Sequence, residues 1–600
     1  MTDQKNIAWD ANYDVVVLGF GGAGATAARF AADAGAKVLL VDSAPEGHEG
    51  GNTRYSAQLI GTGKDFAETK KYYEKLTAPM ELDEEMIDTF VQGMVDMPEY
   101  VEKYLEVKPC RARQFAPFLK NSYEEYPEFP GVHSYDYTTV VENLFDASLW
   151  QNLKTQVLKR KAKITVLYNT PAQELIQNPE TGRIEGVVID RTGKQLKVQA
   201  KNGVVLATGG FENNQRMIED FLGAKRVAPL GTLYNQGMGI TMAQAAGADL
   251  WHMANYESLG LLHGMAFAVP AGERGRLMLG EQNDVVAQGS SFVIGDDGTR
   301  YFNEAEENRH GHIKNHGLWK VPLNQEHPYL IFDENKKREL DADDIIGDYK
   351  PYTEHVLKAD SIEELADKIG VEAQTLAATL KRFNQAAEAQ DDTEFHRAPA
   401  TMKALAGKPV YAVQMEQTML NTQGGPKRNT RAEVLNTKGE PIPHLYSAGE
   451  LGGLCANQYQ GGGNLAECLI WGKIAGVEAA RLKDDITVDA VSGGSAQARY
   501  LDSDLKQEDY PTAKNQYIGR STTGMGDELV VRVTVGEQKR LTNIEVLKQD
   551  ESADYGLKAV KTLPAEMVKQ NKVDVDAVSG ASSTSRGLKD AVNDALSKIN

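Results

Sequence analysis

"YDVVVLGFGGAGATAARFAADAGAKVLLVD", Tyr13 to Asp42, is the stretch that decides the fold. Val15–Leu18 is an unbroken apolar run, the pattern of a strand buried on both faces of a parallel sheet. Gly19-x-Gly21-x-x-Gly24 follows, then an alanine-rich helical stretch, and a second apolar run, Val38–Val41, ends in Asp42. Gly19 permits a tight turn, Gly21 lets the backbone approach a pyrophosphate, and Gly24 lets the helix lie close to the strand. Free N–H groups and the positive dipole end at the helix start suit phosphates, and Asp42 suits a ribose hydroxyl. A lone G-x-G-x-x-G is a weak signal. Here strand, helix, second strand and acid are all in place, so Gly19, Gly21, Gly22, Ala23, Gly24, Asp42 and Ser43 are expected to line a dinucleotide site. The motif alone does not choose between NAD and FAD.

Working outward, a chain of 600 residues calls for several domains. Its 41% hydrophobic and 25% charged residues are an ordinary globular balance. A net charge of −20 argues against nucleic acid, whose phosphates need a basic surface, and against an anionic membrane surface. No apolar run reaches the length of a membrane helix. The polar start, "MTDQKNIAWDANYD", has no signal pattern, so a cytoplasmic location is expected. Cys110, Cys455 and Cys468 form no C-x-x-C pair, which fits a reducing compartment and excludes a cysteine-rich cluster.

Four further stretches carry a resemblance. They are "GGNTRYSAQLIG" (Gly50–Gly61), "VVLATGGFENN" (Val204–Asn214), "GTRYFNE" (Gly298–Glu304) and "LYSAGELGGLCANQYQGGGNLAECLIWGKIAG" (Leu445–Gly476). In this order they resemble the fumarate reductase and succinate dehydrogenase flavoprotein family, over most of residues 13–482. The resemblance implies noncovalent FAD in an α/β fold: a Rossmann-like FAD-binding domain with an inserted α+β capping domain. It implies a FAD domain over 13–258 and 420–482, a capping domain over 259–419, and substrate in the crevice between them. Gly50, Gly51, Asn52, Thr53, Ala172, Ala207, Thr208, Gly209, Gly449 and Glu450 are thereby implied in FAD binding. So are Gly463, Asn464 and Leu465, which open a helix aimed at the isoalloxazine.

The tail reads differently. "KDDITVDAVSGGSAQARYLDSDLKQED" is polar and small, a linker over 483–508. Alternation in "LVVRVTV" and "LTNIEVL" about Gly536 predicts a hairpin, and the chain closes with an amphipathic helix. Residues 509–600 resemble the small α+β FMN-binding domain of respiratory flavoproteins, in which FMN is esterified to a threonine in D-x-x-[ST]-G-A-[ST]-x-T. Here Asp576, Ser579, Gly580, Ala581, Ser582 and Thr584 fill the pattern. Thr584 is the implied site of covalent FMN, on an exposed loop served by a flavin transferase, with Ser585 as the alternative. Val488–Gln497 nearly repeats the phrase, but Gln497 has no hydroxyl to esterify.

The family holds a dicarboxylate with His and Arg residues and protonates it from an Arg. Arg309, one residue late after "RYFNE", is the candidate donor, with Glu304, Glu306 and Glu307 as candidates to reprotonate it. Asn421 stands where a clamping His is expected, Gln458, Tyr459 and Gln460 replace a clamping Arg, and the capping-segment His is lost around Leu259. A second carboxylate buried there without a partner costs several kcal/mol, so fumarate is not expected as the main substrate. Tyr256 and Tyr459, with Leu259, Leu261, Leu262 and Phe267, are read as a pocket for an aromatic or otherwise larger unsaturated compound. His310, His312 and His316 lack the partners of a metal site; His310 and His312 are expected at the cleft or in solvent.

These readings converge on an ene-reductase that resembles urocanate and hydroxycinnamate reductases. Electrons enter at FMN and pass to FAD, a hydride goes to an activated C=C, and Arg309 supplies the proton. No second G-x-G-x-x-G provides an NADH site, so a separate NADH:flavin reductase or reduced-flavin donor is the expected partner. The alternatives are a fumarate reductase proper, a 3-ketosteroid-type FAD dehydrogenase and a non-enzymatic flavin electron carrier.

Overall fold

The apolar run of Tyr13–Asp42 forms the centre of a parallel sheet. Ala11–Leu18 pairs in parallel with Val38–Val41 on one side and with the far half of Lys194–Leu206 on the other. Ile164–Leu167 extends the sheet beyond Val38–Val41, and Pro441–Ser447 extends it beyond Lys194–Leu206, both in parallel. Ala172–Gln177 and Ile184–Arg191 join by antiparallel pairing, the latter onto the near half of Lys194–Leu206, and Glu433–Leu435 completes eight strands. Val15, Val16, Val17 and Leu18 are buried, as an unbroken apolar strand requires.

The computed structural model describes residues 7–278, 281–307, 309–315, 318–321, 324–481, 499–505, 510–526, 528–536, 539–549, 551–552 and 555–599. The chain forms two compact units. One holds 1–211, 234–255 and 423–600; the other holds 212–233 and 256–422. The inserted unit thus runs from 256 to 422, a few residues beyond the expected 259–419, and it also takes in the separate excursion 212–233.

In the first unit, helix Gly22–Asp33 packs on helix Gly463–Ala480. Both are rich in small residues, and the approach is close enough that a Cβ on Gly476 would overlap the Ala27 carbonyl. The inserted unit is built on Val410–Met419, which pairs antiparallel with Tyr329–Asp333, Met265–Phe267 and Leu357–Ala359. Helices Ile362–Ile369 and Ala373–Ala389 contribute Leu365, Leu376 and Phe383 to a core shared with Phe292 and Ile331.

The tail contains the expected hairpin, Leu529–Val535 against Leu541–Lys548, with Gln516–Ser521 as a third antiparallel strand. Helices Tyr555–Gln570 and Ser582–Ser597 cover it, burying Leu563, Met567, Leu588 and Val592 on Val531 and Val533. The upstream phrase Val488–Gln497 lies outside the described residues. Residues 499–505 depart from the free linker expected there, because side chains anchor them to the edge of the parallel sheet. The Asp504 N–H donates to the Val166 carbonyl at 2.8 Å, and its carboxylate takes the Tyr168 N–H at 2.9 Å and Arg191 at 2.7 Å.

Candidate active site

The sheet register sets where the glycine turn leaves the sheet. Leu18, Leu206 and Ser447 are direct neighbours at the carboxyl ends of three parallel strands. Gly19, Ala207 and Ala448, with Gly449 one residue on, therefore leave the sheet side by side, at the edge where open α/β sheets bind ligands. The turn is built as its glycines predict. Gly19 takes φ +99°, and a Cβ on Gly24 would overlap the Gly19 carbonyl oxygen. Helix Gly22–Asp33 opens with no side-chain cap and no acidic residue in its first turn, which leaves its start suited to an anion.

Gly21 bridges to Gly50, and the Gly22 N–H donates to Thr53 Oγ1 at 3.2 Å, so Gly50–Thr53 lies along the glycine turn. The Asp42 carboxylate takes N–H groups from Phe20 and Ala44 at 2.5 and 2.7 Å. Burial lifts its pKa to about 6 against those two bonds, with the Glu49 charge adding. Ser43 is exposed. Ala172 stands close by, since the Thr170 N–H donates to the Asp42 carbonyl at 2.7 Å.

Glu450 is held by two amides: Asn52 Nδ2 donates at 2.9 Å and Asn235 Nδ2 at 3.1 Å. Asn235 was missed from sequence. Its signal is steric, because a Cβ on Gly209, at φ +67°, would meet the Asn235 amide. Thr208 Oγ1 is buried with no hydrogen-bond partner among the described residues. Glycines where side chains would intrude, an uncapped helix start and an orphaned hydroxyl together fit FAD.

At helix Gly463–Ala480, the Asn464 N–H donates to the Tyr459 hydroxyl at 3.2 Å, and Gln423 Nε2 donates to Asn464 Oδ1 at 3.2 Å. Leu465 is buried. Gln460 spends its amide inside the protein. Its oxygen accepts from the Tyr72 hydroxyl at 2.6 Å and from the Glu125 N–H at 3.3 Å. Its nitrogen donates to the Ser122 carbonyl and the Tyr137 hydroxyl, each at 2.8 Å.

The inserted unit gathers a second cluster. Strand Tyr256–Glu257 pairs antiparallel with Asn421–Thr422, which sets Glu257 opposite Asn421. The Ser258 N–H donates to the His310 carbonyl at 3.2 Å, so the Arg309–His312 turn is attached to the same strand. The His312 N–H donates to the Arg309 carbonyl at 3.0 Å, and His312 Nδ1 lies 3.1 Å from that oxygen. A carbonyl only accepts, so Nδ1 carries the proton and Nε2 keeps its lone pair. Glu257 Oε2 is 3.9 Å from the ring. Asn421 is 5% exposed, and its Nδ2 has no hydrogen-bond partner among the described residues.

Several expectations are corrected here. Of the two placements expected for His310 and His312, solvent is excluded: both are buried, and desolvation drives the pKa of His312 down to about 4. His316 lies outside the described residues. Glu304 is not available to reprotonate Arg309. It is buried in ion pairs with Arg300 at 2.7 Å and Arg397 at 3.2 Å. Leu261, Leu262 and Phe267 are core, because Met265–Phe267 is a sheet strand and Phe267 packs on Tyr352. The Tyr256 hydroxyl donates to the Val321 carbonyl at 3.1 Å.

In the tail, Ser579, Gly580 and Ser582 are exposed, but Thr584 is not on an exposed loop. It sits in the first turn of helix Ser582–Ser597, 1% exposed, with its hydroxyl on the Glu551 carboxylate. Glu551 also takes the N–H groups of Met525 and Gly526, each at 3.1 Å. Two successive N–H groups aimed at an anion fit a phosphate. The alternative acceptor Ser585 is committed to the turn: its Oγ donates to the Ala581 carbonyl at 2.7 Å and accepts from the Val578 N–H at 3.1 Å. Among the described residues no group of three His, Cys, Asp or Glu side chains is placed to hold a metal, and no helix is long and apolar enough to cross a membrane.

Residues 14–465 match the FAD binding domain family, and residues 524–597 match the FMN-binding domain. The chain belongs to the FAD binding domain family and carries a second flavin-binding domain at its end. It is 28% identical over 497 residues to an NADH:fumarate oxidoreductase of Klebsiella pneumoniae, covering 79% of this chain and 48% of that one. It thus spans about half the length of that relative. A vinyl phenol reductase of Lactiplantibacillus plantarum is 25% identical over 477 residues, covering 75% of this chain and 92% of that one. The fold is that of 3-ketosteroid delta1-dehydrogenase from Sterolibacterium denitrificans, with TM-score 0.64, 21% identity, and 78% of this chain and 99% of that one covered.

Proposed function

We propose that the chain is the C=C-reducing part of a two-flavin oxidoreductase acting on the CH–CH group of an aromatic or acrylate-type substrate. The observation that carries this reading is that Asn421 and Gln458–Gln460 put no cation at the positions where the family resemblance implies a clamping His and Arg. Gln460 is consumed by Tyr72, Ser122, Glu125 and Tyr137, the Tyr459 hydroxyl is engaged by the Asn464 N–H, and Asn421 offers a neutral amide. A monoacid or a phenol leaves no second charge to be paired, whereas fumarate does.

When bound, FAD supplies hydride chemistry and FMN single-electron relay. The residues do the rest. Arg309 holds a proton for the α-carbon, while its carbonyl is fixed by the His312 ring. The free Asn421 amide donates to a substrate oxygen as enolate-like charge develops there. Thr584 carries FMN as a phosphoester set by a flavin transferase. The relative named for NADH and fumarate, of which this chain spans about half, supports NADH as the source of the electrons, delivered by a partner. The relative named for vinyl phenol supports an aromatic substrate.

The test is anaerobic. The two-flavin protein is reduced with a viologen dye, and dye reoxidation is followed with fumarate, urocanate, hydroxycinnamates, a vinylphenol and a ketosteroid. Rapid oxidation by an aromatic acrylate or vinylphenol, and slow oxidation by fumarate, is expected. Fastest turnover with fumarate overturns the substrate assignment.

A further inference from the structure

Glu551 lies 33 residues before Thr584, outside the acceptor phrase altogether. It is buried, its two oxygens rest on the N–H groups of Met525 and Gly526, and Oε2 accepts the Thr584 hydroxyl. Two glycines make the room. A Cβ on Gly524 would overlap Glu551 Oε1, and one on Gly556 would stand 3.2 Å from Thr584 Oγ1. An aliphatic hydroxyl is a weak nucleophile until a base takes its proton. A base must lie within hydrogen-bond reach of that proton, and Glu551 does.

We propose that Glu551 is the general base for esterification of Thr584, a role that rests on the reading of Thr584 as the FMN acceptor. Thr584 Oγ1 bonds the FMN-side phosphorus of a flavin adenine dinucleotide. The pyrophosphate P–O bond breaks, AMP leaves, and the hydroxyl proton passes to the Glu551 carboxylate. Nothing is oxidised or reduced. Glu551, now neutral, stands beside the new phosphodiester anion without like-charge repulsion.

The test uses the full chain produced without flavin transferase, then incubated with FAD and a flavin transferase. Loading is read by flavin fluorescence in denaturing gels and located by peptide mass. Glu551→Gln is expected to lower the maximal loading rate by about 100-fold or more, with the half-saturating chain concentration changed by less than about threefold. Glu551→Asp, which keeps the carboxylate, is expected to recover a substantial part of the rate. Loading of Glu551→Gln at the wild-type rate overturns the proposal. So does an equal loss in both variants, or a loss confined to the half-saturating concentration, since a structural role predicts either. A wild-type chain left unloaded by a transferase that loads a control acceptor overturns the Thr584 reading itself, and the base with it.

Discussion

The glycine turn of the first unit and the Arg309–Asn421 cluster of the inserted unit are built by opposite means. The turn is made of backbone: Gly19, Gly21, Gly24 and Gly50 matter because they lack side chains, and 32 consecutive residues contain most of it. The cluster is made of side chains from three separate segments, Tyr256–Ser258, Arg309–His312 and Asn421–Thr422, brought together by strand pairing and one turn. A Cβ added at Gly19, Gly24 or Gly50 would overlap its neighbours. A side-chain-built site can be retuned one residue at a time while the flavin sites stay intact.

The largest effect expected from that contrast is at the turn. Gly24→Ala drives a Cβ into the Gly19 carbonyl, at a cost of about 3 kcal/mol or more. The purified variant is expected to lose bound FAD, read as flavin absorbance after gel filtration; stoichiometric FAD in it would break the comparison. Next, Arg309→Ala is expected to slow dye reoxidation by the preferred acceptor about 100-fold or more while FAD and FMN contents hold. Unchanged turnover would remove Arg309 from the reaction.

A smaller effect is written into the buried histidines. Burial lowers the pKa of both His263 and His312 from 6.5 to about 4. Between those values the unfolded chain binds protons that the folded chain does not, so stability falls as pH drops through that window. The loss is about 2 kcal/mol for each histidine at pH 5. Urea unfolding at pH 7 and pH 5 should show His312→Gln losing less stability on acidification than the wild type; equal acid losses would contradict the assignment. The smallest effect is a gain: Asn421→His is expected to raise fumarate turnover modestly by restoring one clamp group. A fumarate rate no higher than wild type counts against the clamp alignment.

Legibility in the sequence followed the same division. The first strand, the glycine helix and the tail hairpin announce themselves through apolar runs, alternation and glycine spacing, all short-range signals. The glycine roles follow from sterics alone. What stayed hidden depends on distant partners. Nothing near Glu304 in sequence says that Arg397 will meet it, and nothing in the acceptor phrase points to Glu551. Leu261, Leu262 and Phe267 look like a pocket because an apolar side chain reads alike in a cleft and in a core; only the pairing of Met265–Phe267 with Val410–Met419 separates the two. Neighbouring histidines likewise give no sign of burial until the Ser258–His310 bond draws their turn inward.

The anchoring of Asp504 to Val166, Tyr168 and Arg191 shortens a leash. Counted from the end of the FAD-domain helix at Ala480, more than thirty residues precede the tail's first strand, Gln516–Ser521. Counted from Asp504, about a dozen do, and these span about 40 Å at full stretch. A short tether of this kind holds its cargo at an effective concentration in the millimolar range. Whatever the tail carries is thereby handed to its own chain far more often than to a neighbour.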